Sequence, residues 1–178
     1  MGVAQIPQRS GFLQRSAFRI TPERGGWVLE SALEVPRPLD EVFAFFSDAA
    51  NLSVLTPPFL QFHTLTAQPI HMAVGTLIDY RIRVRGLPLR WRTEIAVWEP
   101  PHRFVDDQLK GPYRRWHHEH KFTATAGGTL CEDRVSYSVL GGPLIHALFV
   151  RRDIEKIFRY RIEKMRELFG DEPGTTGS

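Results

Sequence analysis

Between residues 59 and 140 the chain presents six stretches of strand length, separated by turn signals, with no segment of helical period among them. Parallel neighbours need a crossover of a dozen or more residues, usually a helix, so strands that follow one another without one are antiparallel. The stretches are 59–67, 76–85, 89–98, 102–109, 113–125 and 129–140. In the second, Ile78, Tyr80, Ile82 and Val84 alternate with Asp79, Arg81, Arg83 and Arg85; in the third, Trp91, Thr93, Ile95 and Val97 alternate with Arg90, Arg92 and Glu94. The last sets Cys131, Asp133, Val135, Tyr137 and Val139 against Glu132, Arg134, Ser136 and Ser138. A period of two with one polar face marks strands that bury the other face. Gly86-Leu87-Pro88, Pro100-Pro101 and Gly127-Gly128 supply turns.

The flanks have a different character. Trp27, Leu29, Ser31, Leu33 and Val35 form one more half-buried strand, which Pro36 ends. Pro38 suits a first helical turn, and Val42, Phe43, Phe45 and Phe46 make the apolar stripe of a short helix. Asp48 can cap a second one carrying Leu52 and Leu55, which stops before Pro57-Pro58 because the residue preceding a proline is pushed out of the helical region. After Gly141-Gly142-Pro143 a long amphipathic helix runs to about Phe169, with Leu144, Leu148, Ile154, Ile157, Phe158, Ile162, Met165 and Leu168 on one side. At ~1.5 Å per residue it spans about 39 Å, enough to cross a small domain. The expected organisation is a flexible arm over 1–26, one α+β domain over 27–169 and a disordered tail over 170–178.

The strip from Gly111 to Phe122 carries the chemistry. Its period of two puts Trp116, His118, His120 and Phe122 on the inner face and Arg115, His117, Glu119 and Lys121 on the outer one. Two imidazoles facing inward need partners once water is removed. Inward positions on other strands add Tyr80, Trp91, Asp133 and Tyr137, joined by Asp106 and Gln108 if Phe104 faces in. Such a set fits either a mostly apolar pocket with a few convergent polar groups or a satisfied buried network in which Asp133 or Asp106 accepts from the imidazoles. The pocket explains the number of inward polar residues better.

Other readings compete for the same residues. An enzyme would use His118 or His120 beside a carboxylate as general base, with Tyr80 or Tyr137 as donor, but no nucleophile motif or phosphate-binding loop accompanies them. His118 and His120, completed by Asp133 or His63, have a spacing that could hold a metal; most such pairs are plain neighbours, so neither metal nor cofactor is expected. Cys131 is the single cysteine of the chain, read as a small core residue in a reducing compartment. Arg81, Arg83, Arg85, Arg90 and Arg92 share the outer face of one hairpin and offer a weak contact to an anionic surface. A net charge of +3 over 178 residues demands no nucleic acid. No apolar run reaches the ~18 residues of a membrane-crossing helix, and a cytoplasmic monomer or homodimer is expected.

The order of a strand, two short helices, six antiparallel strands and a long C-terminal helix resembles the helix-grip fold of the START-like, birch-pollen-allergen-like (SRPBCC) superfamily, which also contains polyketide cyclases and dehydrases. Thr56-Pro57-Pro58-Phe59-Leu60, Phe104-Val105-Asp106-Asp107-Gln108, Gly111-Pro112-Tyr113, Trp116-His117-His118 and Ile157-Phe158-Arg159-Tyr160-Arg161 look like its single-domain bacterial ligand-binding subgroup. The resemblance covers residues 27–169 and implies a curved sheet of about seven strands wrapped round the long helix, with an apolar cavity between. The expected ligand contacts are Tyr80, Trp91, Asp106, Gln108, Trp116, His118, His120, Phe122 and Tyr137 from the sheet and Ile154 and Phe158 from the helix. The function expected first is carriage of a lipid, quinone, isoprenoid or polyketide-like molecule. A cyclase or dehydratase with His118, His120, Tyr80 and Asp133 as candidate catalytic groups is the alternative, and a surface-binding module acting through the arginines is a third.

Overall fold

A single antiparallel sheet of eight strands carries the fold, in the order β1-β2-β8-β7-β6-β5-β4-β3. The strands are β1 (Phe18–Glu23), β2 (Gly26–Val35), β3 (His63–Thr64), β4 (Leu77–Val84), β5 (Leu87–Glu99), β6 (Arg103–Lys110), β7 (Arg115–Thr125) and β8 (Gly128–Ser138). Helix α1 (Leu39–Ser47) and two 3-10 turns, Ala49–Ser53 and Pro58–Leu60, fill the crossing from β2 to β3. The computed structural model describes residues 18–170, so residues 1–17 of the expected arm and 171–178 of the expected tail lie outside the described residues.

The helix-grip architecture of the sequence reading is present, with one strand more than expected. The extra strand, β1, comes from the end of the expected arm and pairs with β2 from Phe18 opposite Ser31 to Glu23 opposite Gly26. The stretch expected as a strand over 59–67 contributes only the two residues of β3, because Pro57 and Pro58 start a 3-10 turn instead. On β5 the alternation holds from Trp91 to Ile95 and then shifts at a bulge between Ile95 and Val97. Trp98, in place of the expected Val97, therefore turns inward and packs on Phe43 and Phe104.

The C-terminal helix runs from Gly142 to Phe169 in three parts: α2 (Gly142–Ile145), a π turn (His146–Val150) and α3 (Arg151–Phe169). A π turn adds a residue to the helical repeat and rotates everything before it relative to everything after it. That rotation corrects the expected stripe: Ile154, Phe158, Ile162 and Met165 are buried, whereas Leu144 and Leu148 are exposed. His146 takes the buried place instead, stacked on Trp27 with centroids 3.7 Å apart and with Nε2 2.8 Å from the Tyr137 hydroxyl. At the other end Phe169, not Leu168, closes the buried face.

The core divides into three apolar clusters. One joins α1 to Phe104, Phe122, Cys131 and Met165; a second joins Leu29, Trp116, Val135, Tyr137, Ile154 and Phe158; a third gathers Ala49, Ile78, Tyr80 and Ile95. The β7–β8 hairpin, which runs through the first two, depends on Gly128, where φ is +136° and an added Cβ would stand 2.1 Å from the Val35 carbonyl oxygen. Gly128→Ala is expected to lower unfolding free energy by at least about 2 kcal/mol in urea titrations. Gly75→Ala, where φ is +84° but nothing lies within 4 Å, tests backbone strain alone and is expected to cost about 1 kcal/mol.

Candidate functional site

The site follows from strand register. β6 pairs with β7 so that Asp106 stands opposite His118, and β7 pairs with β8 so that His120 stands opposite Asp133. All four belong to the alternation that faces the C-terminal helix, so the diagonal neighbours, His118 with Asp133 and His120 with Asp106, also come within reach. The result is a square of two imidazoles and two carboxylates. His118 Nε2 is 3.0 Å and His120 Nδ1 is 2.8 Å from Asp133 Oδ1. On the other side His120 Nε2 is 3.0 Å and His118 Nδ1 is 3.7 Å from Asp106 Oδ2.

Helix α3 completes the square with a residue that the sequence reading passed over. Arg161 occupies a buried position in line with Ile154, Phe158 and Met165, and its Nε and Nη2 reach Asp133 at 3.2 and 3.3 Å. The signal was present in the sequence: an arginine three residues after Phe158 falls inside the apolar stripe, and a charge there must be paired. Its aliphatic stem and guanidinium also pack on Phe46, 5.1 Å from the ring centre.

The electrostatics are strongly coupled. Burial works to raise the Asp133 carboxyl, yet the Arg161 charge and the bonds from both histidines hold it well below the usual carboxylate range. Burial acts likewise on Asp106 and is outweighed by the bond to His120 and the neighbouring positive charges, so it too is lowered. Burial and the nearby His120 push His118 down, toward the neutral form. For His120 the burial effect is overcome by its bonds to Asp106 and Asp133, which raise it. Arg161 thus neutralises Asp133, and His120 is the group that answers Asp106.

A cavity of about 740 Å³ opens beside the square, bounded by β4, β5 and β6, the segment after α1 and the C-terminal helix. Most of its wall is apolar, including Leu52, Phe62, Ile78, Ile95 and Phe104. Asp106, His118, His120 and Arg161 form its polar end, with Tyr80 on the facing strand. Burial and the charge of Asp106 raise the Tyr80 hydroxyl, keeping it a neutral donor. That hydroxyl makes no hydrogen bond among the described residues.

Of the expected ligand contacts, Tyr80, Trp91, Asp106, Trp116, His118, His120 and Phe158 line this cavity. Four others have different places. Gln108 braces the β6–β7 loop, accepting from Tyr113 N at 3.3 Å and donating to the Tyr113 carbonyl at 2.8 Å. Phe122 packs in the first apolar cluster, Ile154 and Tyr137 in the second. Asp133 stands behind the histidines rather than on the cavity wall, and His63 is exposed on β3 opposite Arg81. Cys131 is buried, its thiol pushed up to about 12 by burial and by Asp133.

The arginine face is partly paired. Arg92 bonds Asp79 through two nitrogens at 2.8 Å, and Arg81 lies opposite Arg90. Arg85 leaves that face: with φ of +52° it sits at the β4–β5 turn, bonds Asp153 at 3.1 and 3.2 Å and covers Phe149. Among the described residues no helix is long and apolar enough to cross a membrane.

A family profile described as polyketide cyclase / dehydrase and lipid transport matches residues 35–166, which include the whole square and most of the cavity wall. The chain belongs to that family. Solved structures with the same fold include protein Ms6760 from Mycobacterium smegmatis (TM-score 0.62, 15% identity, covering 85% of this chain and 96% of that one). A protein from Arthrobacter aurescens solved by NMR matches at TM-score 0.67 and 15% identity, over 89% of this chain and 95% of that one. The di-domain aromatase/cyclase StfQ of the steffimycin biosynthetic pathway matches at TM-score 0.61 and 15% identity, over 80% of this chain and 50% of that one. No curated protein matches the sequence.

In this member of the polyketide cyclase/dehydrase and lipid transport family, Arg161 ties helix to sheet through Asp133 and through His120 Nδ1, 3.3 Å from its Nη2. Arg161→Met, which keeps the stem and removes the charge, is expected to cost about 3–5 kcal/mol in chemical denaturation, because it leaves Asp133 buried without its cation. The double replacement Arg161→Met with Asp133→Asn is expected to recover part of that loss, and a double-mutant cycle measures the coupling.

Proposed function

We propose that the protein binds a hydrophobic small molecule, of the lipid, quinone, isoprenoid or polyketide-like aromatic kind, in the cavity between sheet and C-terminal helix. The observation that carries this reading is the cavity itself. Its volume of about 740 Å³ lies within the ~300–1,000 Å³ of small-molecule sites, and most of its wall is apolar. Family membership supports the same class of ligand. The apolar body of the ligand would lie among Leu52, Phe62 and Ile78, with a polar group turned toward Tyr80, His118 and Asp106.

A cyclase or dehydratase working in the same cavity needs a ring nitrogen free to take a substrate proton. Three of the four nitrogens of His118 and His120 stand 2.8–3.0 Å from a carboxylate oxygen. Only His118 Nδ1, 3.7 Å from Asp106, is less engaged. Binding is therefore the reading that the geometry supports best.

Native mass spectrometry of protein isolated from its own cells is expected to show an adduct that organic extraction removes and identifies. Ala49 lies on the cavity wall, so Ala49→Trp should fill the apolar end and weaken rebinding of the extracted molecule at least tenfold, about 1.4 kcal/mol. Empty wild-type protein, or unchanged rebinding by a folded Ala49→Trp variant, rejects this reading.

A further inference from the structure

We propose that Asp106, His118 and His120 bind a divalent transition-metal ion at the polar end of the cavity, through Asp106 Oδ2, His118 Nδ1 and His120 Nε2. One ligand atom from each of these residues lies within 4.8 Å of the others. Metal–ligand distances of about 2.0–2.2 Å place the donors of one ion roughly 3.3 Å apart at tetrahedral angles. The observed spacings from Asp106 Oδ2 are 3.0 Å to His120 Nε2 and 3.7 Å to His118 Nδ1, on either side of that value.

Behind His118 the arrangement is the one that metal-ligating histidines use. Such a histidine donates its second N–H to a carboxylate or carbonyl, which fixes its tautomer and aims its lone pair. Here Asp133 Oδ1 accepts from His118 Nε2 at 3.0 Å, and His120 Nδ1 stands 2.8 Å from the same oxygen and 3.3 Å from Arg161 Nη2. Both rings are thereby turned so that the remaining nitrogens face Asp106. Arg161 bonds the same carboxylate at 3.2 and 3.3 Å and neutralises it.

Charge balance points the same way. Asp106 forms no ion pair with a lysine or arginine among the described residues; its partners are the two imidazoles. A carboxylate oxygen and a ring nitrogen 3.0 Å apart cannot both present lone pairs to the same space, so a cation must stand between them, either a proton or a metal ion. Two histidines and one carboxylate leave positions open on the ion. All three residues line the cavity, so those positions face the bound molecule, and a carbonyl, enolate or phenolate oxygen, or water, completes the shell. Two nitrogens and one oxygen favour Zn²⁺, Fe²⁺ or Co²⁺ over Mg²⁺ and Ca²⁺. The site stands on its own residues, whatever the cavity carries.

The test uses full-length, tag-free protein stripped with a chelator and titrated with Co²⁺, followed by calorimetry and visible absorption. One ion per chain with a ligand-field spectrum distinct from aqueous Co²⁺ is expected, and Zn²⁺ should displace it. Asp106→Asn and His120→Ala should each weaken binding at least tenfold, and Asp133→Asn about 10–100-fold. His63→Ala, on an exposed residue, should leave it unchanged. Absence of a bound-metal spectrum, or binding that survives in a folded variant carrying both Asp106→Asn and His120→Ala, overturns the proposal. Should the variants not fold, paramagnetically shifted ring N–H signals from two buried histidines in the wild-type NMR spectrum support the site. Shifts confined to exposed histidines such as His71 reject it.

Discussion

Asp133 is where sheet and helix meet as charges, and much of the interior is arranged around that contact. Its carboxylate receives Arg161 from α3 and both imidazoles from β7. Removing a carboxylate and a guanidinium from water costs several kcal/mol each, a sum of the same size as their mutual attraction, so the pair contributes little net stability over apolar residues of similar volume. Its effect is on register. Arg161 lies between Phe158 and Met165 on the helix, and Asp133 between Val135 and Cys131 on β8. Apolar contacts alone would tolerate a slip of the helix by one turn, whereas a buried arginine displaced by about 5.4 Å would lose Asp133.

The same contact divides the core. Along β7 the inward residues run Trp116, His118, His120 and Phe122, and along β8 Tyr137, Val135, Asp133 and Cys131, so a polar belt crosses between two apolar clusters. Toward β4 and β5 the belt meets the cavity rather than packed side chains. Two irregularities shape the packed core on either side. The bulge on β5 turns Trp98 into the cluster around Phe43, and the π turn seats His146 against Trp27 and Tyr137. Each spends one extra residue to redirect a side chain that regular geometry would have pointed elsewhere.

The strands from 76 to 140 were legible because each buries one face and leaves the other charged, so hydropathy alone marks the pleat. β1 was not, since Phe18-Arg19-Ile20-Thr21-Pro22-Glu23 is an edge strand whose proline and charges read locally as a loop. The inward direction of His118, His120, Asp133 and Tyr137 was readable from period two, but inward does not mean cavity-lining. Tyr137 points in and is spoken for by His146, which only the π turn brings there. Asp106 depended on the face taken by Phe104. Arg161 was visible as a charge inside an apolar stripe, yet its partner lies 28 residues away on another element, and no local pattern encodes that distance.

Structures at about 15% identity share this backbone. The space between the sheet and the long helix follows from the backbone path, and its lining from the side chains. By the energetics of buried ion pairs, apolar residues of matched volume at the positions of the square would fold as well or better. These ionisable side chains contribute little net stability and are held in one geometry by strand register and by Arg161.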